Sequence, residues 1–163
     1  IYYFMNNNRY DGMWFQDYQQ GKGTMYYYTG DIYEGDWVND KREGQGTYTW
    51  KNGSKYEGSW KNDKKEGEGT FVWNDGCKYE GDWKNNMADG EGVLQMKDGS
   101  CYKGHFSKGK EDGKGVLVDK NGVRFDGFFK QGKKHGAFVE TDKDGKIIRK
   151  GVYKFGTLDA SQK

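Results

Sequence analysis

The chain has 163 residues, of which 17% are aromatic and 32% charged, with 27 glycines, no proline, two cysteines and a formal net charge of +2. Disordered chains are poor in rings, and each buried ring removes roughly 150–250 Å² from water, so this composition excludes disorder despite its polarity. The small net charge gives no reason to expect a nucleic-acid partner, two cysteines exclude a disulfide framework, and no run reaches the roughly 20 apolar residues of a membrane-crossing helix. No charged-then-apolar secretory signal opens the chain, so an intracellular protein is expected. The charge is uneven: residues 1–82 carry a net −4 and residues 83–163 a net +6, which points the C-terminal half toward something acidic.

In chain order, residues 1–9 align with the second half of a repeat. The chain therefore starts inside a repeat without a Met, and a longer parent protein is expected. Full repeats follow at 10–32, 33–55, 56–78, 79–101, 102–124 and 125–148. Their leading pattern of ring, glycine and ring recurs every 23 residues: Tyr10-Gly12-Trp14, Tyr33-Gly35-Trp37, Tyr56-Gly58-Trp60, Tyr79-Gly81-Trp83, Tyr102-Gly104-Phe106 and Phe125-Gly127-Phe129. A Gly-x-Gly begins 11 residues after each leading ring, except that the sixth copy keeps Gly136 and has Phe138 for the second glycine. A partial copy at 149–155, displaced by one residue, and a tail at 156–163 complete the array. Gly151 to Tyr153 and the tail are the expected C-terminal cap.

Within a repeat, Tyr56-Glu57-Gly58-Ser59-Trp60 and Gly69-Thr70-Phe71-Val72-Trp73 alternate with period two, which is strand periodicity. Asn62 to Gly67 has turn composition. Asp75-Gly76, like Asn52-Gly53, Asp98-Gly99, Asn121-Gly122 and Asp144-Gly145, predicts type I′ turns. One face then carries Tyr56, Trp60, Phe71 and Trp73, and the other Glu57, Ser59, Lys61 and Thr70. Gly58 lies between two rings, where a missing side chain lets a ring lie flat on the backbone. The expected fold is all-β: an extended single-layer antiparallel meander of 23-residue β-hairpin repeats, curled or twisted into a solenoid-like ribbon roughly 60 Å long.

Tyr-Glu-Gly-x-Trp, a turn, Gly-x-Gly-Thr-Tyr/Phe and then Asp/Asn-Gly resembles the MORN repeat (membrane occupation and recognition nexus). Residues 33–48 come close to a consensus copy. Asp17, Asp40, Asp63 and Asn86 stand where that family commonly has glycine, and the last copies replace Trp with Phe. The resemblance implies a non-enzymatic structural scaffold or protein-interaction module, with a cytoskeletal setting and, most specifically, a ciliary axoneme such as a radial-spoke head. Two alternatives stay open: a phosphoinositide-binding membrane tether, and the regulatory array of a larger enzyme.

No catalytic, cofactor or metal site is expected. The Gly-x-Gly pairs open no helix and so cannot cradle phosphate as nucleotide loops do. Cys77 and Cys101 fall one residue out of phase on strands about 9.6 Å apart, too far for a disulfide. Cys101 and His105 are too far apart along one strand to share a metal, and His135 is expected in a turn. Asp142 to Ile147 resembles the first part of an EF-hand loop with Gly145 at its sixth position, but Gly151 then occupies the twelfth, so a hairpin turn is the better reading. The candidate partner groove comprises Trp14, Trp37, Trp60, Trp83, Phe106 and Phe129. Candidate anionic-lipid contacts are Lys61, Lys64 and Lys65 in one basic turn and Lys130, Lys133 and Lys134 in another. The expected partners are proteins, with a second copy of the chain joining through open strand edges.

Overall fold

In the computed structural model, which describes residues 1–161, the alternating pattern forms strands throughout. They are β1 (Tyr2–Tyr3), β2 (Arg9–Phe15), β3 (Tyr18–Tyr26), β4 (Ile32–Val38), β5 (Lys41–Thr49), β6 (Lys55–Lys61), β7 (Lys64–Val72) and β8 (Lys78–Lys84). They continue as β9 (Met87–Gln95), β10 (Cys101–Ser107), β11 (Lys110–Val118), β12 (Arg124–Lys130), β13 (Lys133–Thr141), β14 (Ile147–Lys154) and β15 (Thr157–Leu158). All belong to one open antiparallel sheet in sequence order, and the described residues include no helix. The chain divides into two compact units, Ile1–Gly76 with Trp83–Asn86, and Cys77–Asp82 with the residues from Met87 on. Of the tail, Gln162 and Lys163 lie outside the described residues.

The turns differ from their sequence reading in a way that matters for the site. The stretch Asn62 to Gly67 is not one long turn. Only Asn62 and Asp63 turn, both at positive φ (48° and 66°), and strand β7 begins at Lys64. This is the two-residue type I′ geometry, which Asn and Asp tolerate because their short polar side chains suit the left-handed region. The Asx-Gly dipeptides form the other kind of turn. At Asn52-Gly53 only the glycine has positive φ (92°), Gly53 N–H donates to Trp50 O at 3.0 Å, and Trp50 N–H donates to Ser54 O at 2.9 Å. A type I turn closed by a left-handed glycine fits this pattern.

Gly67, at φ 81°, marks a bulge that changes the register between β6 and β7. Gly58 pairs with Gly69 and Trp60 with Lys65, so two steps along β6 meet four along β7. A slip of two preserves the alternation of faces, and it brings Lys65 to the ring face opposite Trp60. The one-residue displacement of the last partial copy is absorbed likewise, by an irregularity between Glu140 and Thr141 where β13 meets β14.

The leading tyrosines are the core. Tyr10, Tyr33, Tyr56, Tyr79 and Tyr102 are essentially fully buried. Each hydroxyl donates to the backbone carbonyl three residues on; for Tyr33 this is Asp36 O at 3.0 Å, and for Tyr102 it is His105 O at 3.0 Å. Each ring lies over the second glycine of its own Gly-x-Gly. A Cβ on Gly46 would stand 2.2 Å from the Tyr33 hydroxyl oxygen, and one on Gly115 would stand 2.4 Å from that of Tyr102. In the first unit Tyr33 meets Trp37 and Trp60 edge-on at 5.1 and 5.3 Å, and Tyr56 meets Trp60 and Trp83 at 5.2 and 5.3 Å. In the second unit Tyr102 does the same with Phe106 and Phe129 at 5.1 and 5.0 Å. Such edge contacts add about 0.5–1.5 kcal/mol each beyond area burial. The sixth copy shows the two features change together. Phe125 lacks the hydroxyl and the glycine beneath it is Phe138, with the two rings stacked at 5.1 Å.

Burial, the leading cause, pushes the hydroxyls of Tyr33, Tyr56, Tyr79 and Tyr102 above their ordinary value of 10.0. The unfolded chain releases these protons at lower pH than the folded one. The tyrosines' contribution is therefore complete below pH ~10 and is lost as the pH rises through the folded values. The array is expected to be less stable to urea at about pH 11 than at about pH 8, with the buried rings gaining tyrosinate absorbance in the same step as they unfold. Free titration of all thirteen tyrosines without unfolding would contradict this core.

Candidate functional site: the ring face

Successive repeats are fastened at their type I′ turns. The Asp40 carboxylate accepts from Gln19 N–H at 2.8 Å, the Asp63 carboxylate from Arg42 N–H at 2.8 Å, and the Asn86 side-chain oxygen from Lys65 N–H at 2.8 Å. A parallel row joins Asn62 N–H to Glu43 at 2.9 Å and Asn85 N–H to Glu66 at 3.0 Å. These fastenings hold the ring face as a regular surface within each unit.

Of the six residues expected to line a groove, only Trp14 is substantially exposed, at 40%. Trp37, Trp60, Trp83, Phe106 and Phe129 are buried wedges between the tyrosines. Trp37 Nε1–H donates to Gly23 O, Trp60 to Gly46 O and Trp83 to Gly69 O, at 3.0, 3.1 and 3.0 Å, tying each wedge to the previous hairpin. The rings that face outward come from the second strand of each hairpin and its end. In the first unit they form a continuous row: Tyr27 to Tyr48 at 5.7 Å, Tyr48 to Trp50 at 4.5 Å, Trp50 to Phe71 at 5.0 Å and Phe71 to Trp73 at 4.6 Å. The period-two spacing of Phe71 and Trp73 is the sequence signal for them. In the second unit the corresponding positions hold Leu94, Met96, Leu117 and Asp119, so the aromatic row is a property of the first.

Two cations stand among these rings. The Arg42 guanidinium lies 4.7 Å from the Trp60 ring and 5.4 Å from Tyr48, and Asp63 accepts from its Nε at 3.1 Å and its Nη2 at 3.0 Å. Lys65 Nζ lies 5.2–5.6 Å from Trp50, Tyr56, Phe71 and Trp83. Burial first, and then the charge of Arg42, hold the Lys65 ammonium below its ordinary value.

The two basic turns are split in consequence. Lys61 and Lys64 are exposed partners across β6 and β7, and Lys130 and Lys133 across β12 and β13. Lys65 and Lys134 instead turn onto the rings. Lys134 Nζ sits 4.2 Å from the Phe125 ring and 3.6 Å from the buried carboxylate of Glu140, which Arg149 also meets at 2.7 Å. A lipid headgroup would meet two lysines at each turn and not three.

Cys77 and Cys101 are not joined in a disulfide, and the described residues contain no group of three or more His, Cys, Asp or Glu placed to hold a metal. His135 lies within strand β13 and not in a turn, because the two-residue turn Gln131-Gly132 lets the strand begin at Lys133. Its Nδ1 accepts from Phe155 N–H at 3.1 Å. Asp142 to Lys146 is a hairpin turn in which the Asp142 carboxylate accepts from Asp144 N–H and Lys146 N–H, each at 2.9 Å.

Tandem hairpins in one open sheet, with a packed column of rings and a second row of rings facing out, define a hairpin-repeat protein. The MORN repeat family matches residues 10–32, 33–55, 56–78, 79–101, 102–124 and 125–147, and the chain belongs to that family. No curated protein matches the chain. Among solved structures it is similar to the TCP domain of Drosophila melanogaster SAS-4 in complex with a proline-rich motif of Ana2. The identity is 14% and the TM-score 0.55, over 93% of this chain and 81% of that one. It is also similar to the TCP10c domain of Drosophila melanogaster Sas-4, at 15% identity and a TM-score of 0.51, over 93% and 89%. At these identities the likeness is one of fold.

Proposed function

We propose that this chain is a non-enzymatic protein-interaction scaffold whose first unit receives an extended, proline-rich segment of a partner protein on the ring row Tyr27, Tyr48, Trp50, Phe71 and Trp73. The observation that carries this is the row itself: five rings in contact, Trp73 exposed and the other four half-buried, on a backbone fixed by hydrogen bonds. Aromatic-lined surfaces suit polyproline segments, which are extended before binding and lose little entropy. The SAS-4 domain of similar fold holds a proline-rich motif of its own partner, which supports the reading. The buried Trp37, Trp60 and Trp83 form the floor beneath this surface, and Trp14 stands at its start.

The proposed setting is a cytoskeletal assembly, in the first instance a ciliary axoneme of the radial-spoke kind, from the family resemblance. The proposed organisation is a half repeat at 1–9, six repeats over 10–148, a partial copy at 149–155 and a tail. The tagged protein, expressed in ciliated cells, is expected to stay with the detergent-extracted axoneme. Recovery only from the cell body would overturn the setting while leaving the peptide-binding reading to its own test.

A further inference from the structure

The 23-residue period allows each ring-face position to be compared with its equivalents. Residue 19 corresponds to 42 and 65, the two positions that place a cation among rings. Arg42 meets both the rings and the carboxylate of the next turn, Asp63. Lys65 meets rings alone, and the next turn there has the neutral Asn86. The first repeat keeps the carboxylate, Asp40, and fastens it to the backbone N–H of residue 19 just as Asp63 is fastened to that of Arg42. But residue 19 is a glutamine. The guanidinium that the carboxylate would pair with is missing.

The space it would fill is open. A cavity of about 710 Å³ lies over this position, lined by Gln19, its cross-strand partner Trp14, Asp40, Phe4, Met25 and Tyr2. Tyr2 contacts Phe4 at 4.8 Å and Trp14 at 5.4 Å, so three rings stand together there. Asp17 adds a second carboxylate, and no lysine or arginine lines the cavity. Gln19 is 4% exposed and its side-chain nitrogen is buried without a hydrogen-bond partner.

We propose that this cavity is a receptor for an arginine side chain of a partner protein, with the Asp40 carboxylate as its hydrogen-bonding group and Phe4, Trp14 and Tyr2 as its ring walls. Guanidinium is the chemistry that fits the carboxylates and the rings together: it pairs a carboxylate and lies flat on aromatic faces. The Arg42–Asp63 pair is the same recognition made within the chain.

The test needs no identified partner and does not depend on the proline-rich reading. N-acetyl-arginine-amide is titrated into the full chain, with N-acetyl-citrulline-amide as the neutral probe of equal shape, following the Gln19 side-chain amide and Trp14 indole resonances by NMR. The expected result is saturable shifts of both with the arginine probe and none with citrulline. Asp40→Asn is expected to weaken binding about tenfold, since a charge-assisted hydrogen bond is lost. It should keep the fold, because Asn86 fills the same role two turns further on. Gln19→Arg is expected to fold with an unchanged or higher midpoint and to bind no probe, the new guanidinium occupying the cavity. Absence of any saturable shift in the native chain, equal binding of citrulline, or undiminished binding to Gln19→Arg would each overturn the proposal.

Discussion

Gly46→Ala is expected to destabilise the array by about 3 kcal/mol or more, at the upper end of what forced overpacking usually costs. The reason is local. The added Cβ would stand 2.2 Å from the Tyr33 hydroxyl oxygen and 2.5 Å from the ring carbon that bears it. The ring cannot retreat, because Trp37 and Trp60 hold it edge-on from both sides and its hydroxyl is bonded to Asp36 O. For a chain of this size that cost corresponds to a fall of roughly 10 °C in Tm. Gly53→Ala is the control. Nothing lies within 4 Å of its Cβ position, and only its positive φ of 92° opposes the change. Its cost is expected to stay near 1–2 kcal/mol. Adding Tyr33→Phe to Gly46→Ala removes the nearest colliding atom, and the pair should recover about 1 kcal/mol or more beyond additivity. The sixth repeat already combines the two changes, as Phe125 over Phe138. Urea denaturation of the native chain, Gly46→Ala, Gly53→Ala, Tyr33→Phe and the double variant measures this. Equal losses for Gly46→Ala and Gly53→Ala would mean that the tyrosine-on-glycine contact does not hold the sheet.

Much of this was legible in the sequence. The 23-residue step and the alternation in Tyr56 to Trp60 dictated hairpins in one meander; the flat ring expected over Gly58 lies instead over Gly69, with Gly58 packed against the Gly69 backbone. The division of labour on the ring face was less legible. Trp37, Trp60 and Phe71 all fall on one face by period two, and periodicity alone does not say which are wedged beneath their neighbours. That depends on how each indole reaches back to the previous hairpin, as Trp60 does to Gly46 O. The position of Lys65 was hidden for a different reason. It was read as part of a long turn, whereas a two-residue turn and a bulge at Gly67 carry it onto the ring face. Once that register is known, the row Gln19, Arg42 and Lys65 can be read directly from the sequence, and with it the missing cation of the first repeat.

The central claim is that the ring face has two separable layers, wedges that hold the sheet and outward rings that meet a partner. The most direct test compares Trp60→Ala with Trp50→Ala/Trp73→Ala for thermal unfolding and for binding of a fluorescently labelled proline-rich peptide by anisotropy. Trp60 is 5% exposed and bonded to Gly46 O, so its loss is expected to cost about 3–5 kcal/mol and to melt its surroundings. Trp73 is exposed and Trp50 half-buried, so their truncation should cost less stability than that of Trp60 but at least about tenfold in affinity, as for central aromatic contacts in interfaces. A folded Trp50→Ala/Trp73→Ala chain that no longer binds the peptide is the predicted result. Binding at native strength by that variant, or loss of fold and binding together, would contradict the account.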